Sequence, residues 1–283
     1  MEARFREELE ACLGAAVQRV RALTGGDINE ARVVTLADGR EVFVKSNRRA
    51  PPELFTCETQ GLAWLRAANA IRIPEVLATT ERFLVLEWIP LGSPANDFDD
   101  QLGRALAKLH RASPNTMGLD HDNFIGSLPQ LNTPCDAWSE FYRTRRLEPQ
   151  LARATDAGLL PPKTRRSFTR LMAGLHEFLG PPEPAARLHG DLWGGNLICD
   201  DAGRPCLIDP AVYGGHREVD LAMMRLFGGF SSRVFAVYEE AFPLAPGHAE
   251  RVSAYQLYPL LVHLNLFGAG YLPNLDAALA KLV

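Results

Sequence analysis

Apolar residues recur every three or four positions at the start of the chain, which is the spacing of one helix face. Their positions are Phe5, Leu9, Cys12, Leu13, Ala16, Val17 and Val20. The pattern predicts a helix over residues 2–23, ended by the glycine-containing segment 24–30. Two β-rich runs follow at 31–36 and 40–45, and Asp38-Gly39 between them is typical of a tight hairpin. We therefore expect a helix followed by a two-stranded hairpin.

A second helix is predicted to begin at Pro51-Pro52, because proline fits the first helical turn. Three leucines within 54–65 share one face of it, and Glu58 falls on the same stripe. An acid on an inward face is costly unless a cation meets it. Lys45, at the end of the second strand, is the obvious partner. In the alternative interpretation, Glu58 lies at the edge of the stripe and Lys45 is solvated.

A continuous apolar run at 82–89 predicts a further strand, which Pro90 and Gly92 close. Such a strand is a reasonable connector between two lobes. We place the boundary near residue 91, which predicts an N-terminal lobe over 1–91 and a C-terminal lobe over 92–283.

The C-terminal lobe is predicted to be mostly helical, with a long ordered loop at 114–135. The helical patterns lie at 102–110, from residue 138 onward, at 162–179, at 221–227 and in 231–283. His110 is interpreted as a helix-end residue rather than a ligand. The arginines near residue 145 are interpreted as a solvated charge run, although they could meet a substrate anion. They are Arg143, Arg145, Arg146 and Arg153.

One polar stretch carries the candidate chemistry. His189 and Asp191 form a His-x-Asp motif, Asn196 follows Asp191 at +5, and Asp209 comes later. Protein kinases have the same His-x-Asp and Asn spacing in their catalytic loop, followed by a metal-binding Asp. One carboxylate and one carboxamide suit Mg²⁺, and the remaining acid could accept a substrate proton. The alternative is a surface loop with ordinary turn residues.

A predicted hairpin explains how two of these residues could meet. Residues 196–199 and 205–209 are strand-like, and 200–203 form the turn between them. Asn196 and Asp209 would begin and end paired strands, so their side chains could converge on one ion. Asp220, further on, is expected to cap a helix or to brace the catalytic loop.

Composition narrows the class of protein. The chain has 283 residues, of which 47% are hydrophobic and 23% charged, as in ordinary globular proteins. The net charge of −4 does not favour a nucleic-acid partner. Five scattered cysteines, no signal-peptide core and no apolar run near about 18 residues predict a cytoplasmic protein with reduced thiols and no membrane partner. We expect a monomer or a weak homodimer.

Several of these motifs closely resemble those of the fructosamine/ketosamine 3-kinases, an aminoglycoside-phosphotransferase-like branch of the kinase fold. The His-Gly-Asp-x-x-x-x-Asn core is shared with many small-molecule kinases, whereas Trp193 with glycines 194–195, and the later run 227–230, are more specific. The resemblance extends nearly from end to end. Other matching segments are 122–126, 129–130, 141–142, 145–147, 208–211, 213–222, 255–258 and 265–268.

This resemblance implies an α+β, two-lobed, protein-kinase-like fold with a small antiparallel-sheet N-terminal lobe and a larger, mostly helical C-terminal lobe. It implies ATP- and Mg²⁺-dependent phosphorylation of the sugar 3-hydroxyl of ketosamines, free or on protein lysines. The phosphorylated adduct is unstable and falls apart, which repairs glycation.

Residue roles are carried over by position. Asp191 is the implied base, and Asn196 and Asp209 are the implied magnesium ligands. The implied nucleotide-binding residues are Lys45, Glu58, Glu87, Trp88 and Ile89, with the last three along the adenine. The implied sugar-side residues are Trp193, His216 and Arg217. Asp27 replaces the cysteine or small residue of many relatives in the phosphate loop, which argues against thiol-based regulation there.

Three other classes stay open on the sequence alone. An aminoglycoside, choline or homoserine type of kinase would share the ATP machinery and differ in the region 114–153. A metal-dependent hydrolase would use His189, Asp191, His216 and Glu218 as ligands, but it would leave the pairing of Lys45 with Glu58 unexplained. An inactive binding module is the third, although every catalytic position is filled.

Overall fold

The computed structural model of the chain describes residues 3–23 and 29–283. Its N-terminal part combines two helices with a five-stranded antiparallel sheet, in which the strands lie in the order β1-β2-β3-β5-β4. The elements are α1 (Ala3–Leu13), β1 (Val17–Ala22), β2 (Glu30–Leu36), β3 (Glu41–Ser46), α2 (Leu54–Arg66), β4 (Val76–Thr79) and β5 (Phe83–Glu87). The predicted hairpin is confirmed as β2–β3, and the predicted second helix is α2.

The predicted first helix is wrong in its second half. The helix ends at Leu13 because Gly14 has a φ of +65°, a left-handed conformation that glycine adopts without strain. The following residues form the edge strand β1, in which Val17 is buried but Val20 is 39% exposed. Val20 therefore extended the helical pattern by chance. Most of the predicted turn, including Asp27, lies outside the described residues.

The C-terminal part is mainly helical and contains three short antiparallel strand pairs: β6–β7, β8–β11 and β9–β10. Its elements are α3 (Phe98–Arg111), β6 (Asn123–Ile125), β7 (Leu128–Gln130), α4 (Trp138–Phe141), a π-helix (Tyr142–Leu147), α5 (Glu148–Asp156), α6 (Pro162–Ala173), β8 (Ala186–Leu188), β9 (Leu197–Cys199), β10 (Pro205–Leu207), β11 (Tyr213–Gly215), α7 (Glu218–Phe227), α8 (Ser232–Ala241), α9 (His248–Phe267) and α10 (Leu272–Leu279). Among the described helices, none is both long and apolar enough to cross a bilayer.

One apolar core joins the two parts. It contains Leu62 and Leu65 of α2, Leu106 of α3 and Leu207 of β10, all of them almost fully buried. Gly92 already donates its backbone N–H to Cys199 O at 3.1 Å, just after the predicted lobe boundary. The boundary at residue 91 therefore stays a prediction, because packing is continuous across it.

The sequence predicts that all four arginines are solvated, but the structure shows that one of them is not. Arg143 and Arg153 are exposed, but Arg146 is fully buried. Its guanidinium lies 3.7 Å from the centroid of the Tyr213 ring and donates to Asn132 Oδ1 at 2.7 Å. Arg146 thus belongs to the core, where aromatic and carbonyl contacts replace water.

Candidate active site

The loop after β8 is held rigidly from behind. Asp220 of α7 accepts hydrogen bonds from the backbone N–H groups of His189 at 2.8 Å and Gly190 at 2.9 Å. Gly190 has a φ of +83°, and a Cβ there would lie 1.9 Å from Ala211 O, so only glycine fits. Asp220 therefore braces the catalytic loop, which is one of the two roles that the sequence predicted for it.

A buried histidine supports this brace. His110 donates from Nε2 to Asp220 Oδ2 at 3.2 Å, and the Tyr238 hydroxyl lies 2.8 Å from its Nδ1. His110 does lie in the last turn of α3, as expected, but its contacts link α3, α7 and α8. The apolar pattern could not reveal these contacts, because the partners of His110 come more than a hundred residues later in the chain.

The predicted hairpin brings Asn196 beside the two acids. β9 pairs with β10, and the backbone N–H of Ile208 donates to Asn196 O at 3.0 Å. Asn196 Nδ2 donates to Asp191 O at 2.8 Å and to Asp191 Oδ2 at 3.2 Å. Asp209 has a φ of +53°, a conformation that costs a non-glycine residue about 1–3 kcal/mol. The hairpin also brings Asn196 to Asp209, whose backbone carbonyl accepts from Asn196 Nδ2 at 3.4 Å; that the two side chains hold one ion stays a prediction.

Lys45 connects the N-terminal sheet to this cluster. Its Nζ donates to Glu58 Oε1 and Oε2 at 2.9 and 3.0 Å, and to Asp209 Oδ1 at 2.9 Å. Burial alone would lower the pKa of Lys45, but the nearby charges of Asp209 and Glu58 raise it above its ordinary value. The ammonium is therefore retained, and the predicted pairing of Lys45 with Glu58 is present.

Asp191 lies in an environment that disfavours its charge. Burial, reinforced by the negative charge of Asp209, raises the pKa of Asp191 to about 7, although the hydrogen bond from Asn196 opposes the shift. A carboxylate with this pKa is a stronger base than an ordinary aspartate, which suits proton abstraction near neutral pH.

These side chains converge on one cleft of about 610 Å³ between the two parts. The predicted site residues in its wall are Lys45, Glu58, Asp191, Trp193, Asn196 and Asp209. The rest of the wall includes Phe43 of β3, the β6–β7 hairpin and the facing sides of α7 and α9. The cleft is large enough for nucleotide and acceptor to meet at Asp191.

The structure does not bring His216 and Arg217 to this cleft, which corrects the sequence prediction. Both are almost fully buried. Arg217 donates to Glu183 at 2.8 and 2.9 Å and to the carbonyl of Phe242 at 2.7 Å, while the ring of His216 stacks on Tyr255 at 5.3 Å. Their closeness in sequence to Asp209 suggested a substrate contact, but the turn into α7 directs both side chains into the core.

The predicted adenine connector lies at the end of β5 and does not form part of the cleft wall. The backbone N–H of Glu87 is already used, since it donates to Glu75 O at 2.9 Å, and Ile89 is 4% exposed. β5 nevertheless pairs with β3, whose Phe43 and Lys45 line the cleft.

The donor set at the cleft suits magnesium. No described residue donates a hydrogen bond to Asn196 Oδ1 or Asp209 Oδ2. One amide oxygen and one carboxylate oxygen are the hard ligands that Mg²⁺ prefers when phosphates and water complete its shell. Residues 3–23 and 29–283 contain no group of three or more His, Cys, Asp or Glu side chains that could hold a metal.

Comparison with known proteins places the chain in a family. The model of the fructosamine kinase family matches residues 1–283. The chain belongs to the fructosamine kinase family. It is 37% identical over 271 residues to a protein of Lactiplantibacillus plantarum named as a ketoamine kinase, with 94% of each chain covered. It is also 37% identical over 264 residues to the chloroplastic protein-ribulosamine 3-kinase of Oryza sativa subsp. japonica, covering 89% of this chain and 75% of the rice protein.

Solved structures agree with the fructosamine kinase assignment. A crystal structure from Thermobifida fusca, assigned as a fructosamine-3-kinase, has a TM-score of 0.91 at 38% identity and covers 98% of this chain and 97% of its own. A choline kinase from Streptococcus pneumoniae has a TM-score of 0.67 at 18% identity, covering 99% and 97%, and so supports the fold alone. The predicted α+β, protein-kinase-like fold is confirmed.

Proposed function

We propose that this chain is a ketosamine 3-kinase, which transfers the γ-phosphoryl group of ATP to the sugar 3-hydroxyl of a free or protein-bound ketosamine. Related proteins named as a ketoamine kinase and a protein-ribulosamine 3-kinase support the substrate class. The observation that carries the proposal is the Lys45 ammonium held between Glu58 and Asp209 in the cleft that contains Asp191. A fixed cation beside a basic carboxylate is what phosphoryl transfer to a hydroxyl requires.

Asp191 orients the acceptor hydroxyl and takes its proton as the phosphoryl group moves in line. In the free protein burial raises the pKa of Asp191 to about 7, which makes it a stronger base there than an ordinary aspartate. Lys45 offsets the negative charge that develops on the phosphoryl oxygens, and Glu58 fixes its position. Trp193 faces the sugar, since its ring is 42% exposed in the cleft and follows Asp191 by two residues.

Asn196 and Asp209 are the residues that would hold Mg²⁺, through the two oxygens that have no donor in the described chain. The ion, when bound, would neutralise part of the phosphate charge. Glu87, Trp88 and Ile89 remain our proposal for the adenine side, supported by the position of β5 next to β3. We also propose a cytoplasmic location, supported by five free cysteines.

The test is ADP release from ATP and Mg²⁺ with a panel of fructosyl- and ribulosyl-lysines, free sugars, choline and an aminoglycoside. ADP release that depends on a ketosamine supports the proposal. Release only with choline or the aminoglycoside would favour another small-molecule kinase. Metal-dependent hydrolysis of a phosphate ester without ATP would favour the hydrolase.

Two variants separate catalysis from binding in the same assay. Asp191→Asn should leave ATP binding nearly intact while phosphorylation falls by about 10²–10⁴-fold, the contribution of a positioned base. Asp209→Ala should remove Mg²⁺-dependent nucleotide binding. Asp201→Asn, an exposed acid in the turn of the same hairpin, is the matched control and should retain full activity. Unchanged turnover in Asp191→Asn would show that Asp191 is not the base.

A further inference from the structure

Five aromatic side chains lie next to one another in the lining of the cleft. We call Trp193, Phe227, His263, Phe267 and Tyr271 the aromatic wall, since all five line the cleft. Ring centroids are 6.4 Å apart for Trp193 and Phe227, 4.4 Å for Phe227 and His263, 5.4 Å for His263 and Phe267, and 5.0 Å for His263 and Tyr271. Trp193 and Phe267 are 42% and 44% exposed, so part of each side chain is open to a ligand.

Paired glycines explain why Trp193 and Phe227 meet although they are distant in sequence. A Cβ on Gly229 would lie 2.8 Å from Gly194 Cα, so the two backbones pack directly against each other. A Cβ on Gly195 would lie 2.3 Å from the Trp193 indole, so the indole rests on that glycine. The two glycine pairs singled out in the sequence therefore assemble the first two rings of the aromatic wall.

The cleft is negatively charged, and the aromatic wall adds no positive charge. Its lining carries three acidic side chains, Glu58, Asp191 and Asp209, against one basic side chain, Lys45, so it stays negative even while Asp191 holds its proton. His263 donates from Nδ1 to Pro259 O at 2.8 Å, and burial lowers the pKa of His263. The imidazole is therefore neutral near pH 7, and the cleft favours a cationic ligand over a neutral one of the same shape.

We infer that the aromatic wall binds the protonated secondary amine that joins sugar and lysine in a ketosamine, by cation–π contacts with Trp193, Phe267 and Tyr271. This inference rests on the proposed function. The amine nitrogen is three bonds from the carbon that bears the 3-hydroxyl. When that hydroxyl is at Asp191, the amine lies in the same cleft, which Trp193, Phe267 and Tyr271 also line. The faces of Trp, Tyr and Phe attract a cation within about 6 Å, most strongly where water is excluded.

The test compares two acceptors that differ only in this charge: 1-deoxy-1-(propylamino)fructose and its ether analogue, 1-O-propylfructose. Binding is measured by calorimetry on the full chain loaded with Mg²⁺ and a non-hydrolysable ATP analogue, so that no turnover is needed. We expect the wild type to bind the amine more tightly. Phe267→Leu, which keeps an apolar side chain but removes the π face, should weaken amine binding about two- to thirty-fold and leave ether binding unchanged.

Phe267→Tyr is the matched control, since it keeps the ring and should keep the preference for the amine. Phe267 is 44% exposed, so neither exchange opens a cavity in the core. Equal affinity of the wild type for amine and ether would overturn the inference. An equal loss for both ligands in Phe267→Leu would also overturn it, because the ring would then act only as an apolar surface. Preferential amine binding without any phosphorylation would support the inference and contradict the proposed function.

Discussion

Replacing Asp191 by asparagine should stabilise the protein at neutral pH even though it removes the proposed base. Burial and the charge of Asp209 raise the pKa of Asp191 from 3.8 to about 7. Because the pKa is higher in the folded state than in the unfolded chain, the folded state favours the protonated acid. The wild type therefore loses stability as the pH rises from about 4 to about 7, and above that range the loss is complete. Asparagine is neutral throughout and avoids this loss.

The magnitude follows from the size of the shift. Between pH 5 and pH 7 the unfolded chain is ionised at residue 191, whereas the folded chain still holds its proton. Each pH unit in this window costs the wild type about 1.36 kcal/mol of unfolding free energy. Over two units the advantage of Asp191→Asn should grow by up to about 2.7 kcal/mol, which corresponds to roughly 5–10 °C in Tm for a chain of this size.

The assay is thermal unfolding of both proteins at pH 5, 6, 7 and 8 in EDTA without nucleotide, so that no bound cation shifts the titration. Asp200→Asn is the control. Burial alone would raise the pKa of Asp200, but hydrogen bonds from the Arg204 backbone and the Arg72 side chain lower it to about 2. Asp200 is therefore ionised at pH 5 and above in both the folded protein and the unfolded chain. The difference in Tm between Asp200→Asn and the wild type should thus be the same at all four pH values. A flat or falling difference for Asp191→Asn as well would refute the burial argument.

Three further predictions concern the supports of the site. Asp220→Ala should leave the backbone N–H groups of His189 and Gly190 without their acceptor, which costs about 1–3 kcal/mol for each buried donor. The free energy of unfolding, measured with denaturant, and kcat should both fall. An unchanged kcat would argue against a bracing role. Glu58→Gln should raise the KM for ATP about 10- to 100-fold, because a hydrogen bond between charged groups contributes about 1.5–3 kcal/mol. The control, Glu53→Gln, changes an exposed acid on the same segment and should leave the KM for ATP unchanged. Gly195→Ala should displace the Trp193 indole from its position, raising the KM for the ketosamine and leaving the KM for ATP near that of the wild type; an unchanged acceptor KM would contradict the placement of Trp193.

The parts of the site that are local in sequence were predictable. Asp191, Asn196 and Asp209 lie on one loop and one hairpin, so strand pairing alone brings them together. The pairing of Lys45 with Glu58 was predictable for another reason, because an acid on a buried stripe requires a cation. The first helix was partly wrong because the apolar spacing continues through Gly14, where the backbone turns.

The parts that depend on side-chain direction or on distant packing were not predictable. His216 and Arg217 follow two glycines close to Asp209, but nothing in the sequence shows that α7 begins by turning them inward to Glu183 and Tyr255. Likewise, the contribution of α9 to the cleft depends on how α9 packs against α7. His263 lies on α9 among core residues, and its apolar neighbours gave no signal that one face of the helix borders the cleft.

The charge arrangement limits the repulsion between the three acidic side chains of the cleft. Lys45 neutralises part of the charge of Glu58 and Asp209 through contacts of 2.9 Å, and it does so from the sheet on the opposite side of the cleft. Asp191 has no such partner in the described chain: its side chain receives one hydrogen bond, from the neutral Asn196, and its pKa rises accordingly. Burial also raises the pKa of Glu58, where Lys45 opposes the shift, whereas at Asp191 the hydrogen bond from Asn196 is the main opposing effect. A salt bridge to Asp191 like the 2.9 Å contact of Lys45 with Asp209 would lower the pKa of Asp191 and weaken it as a base.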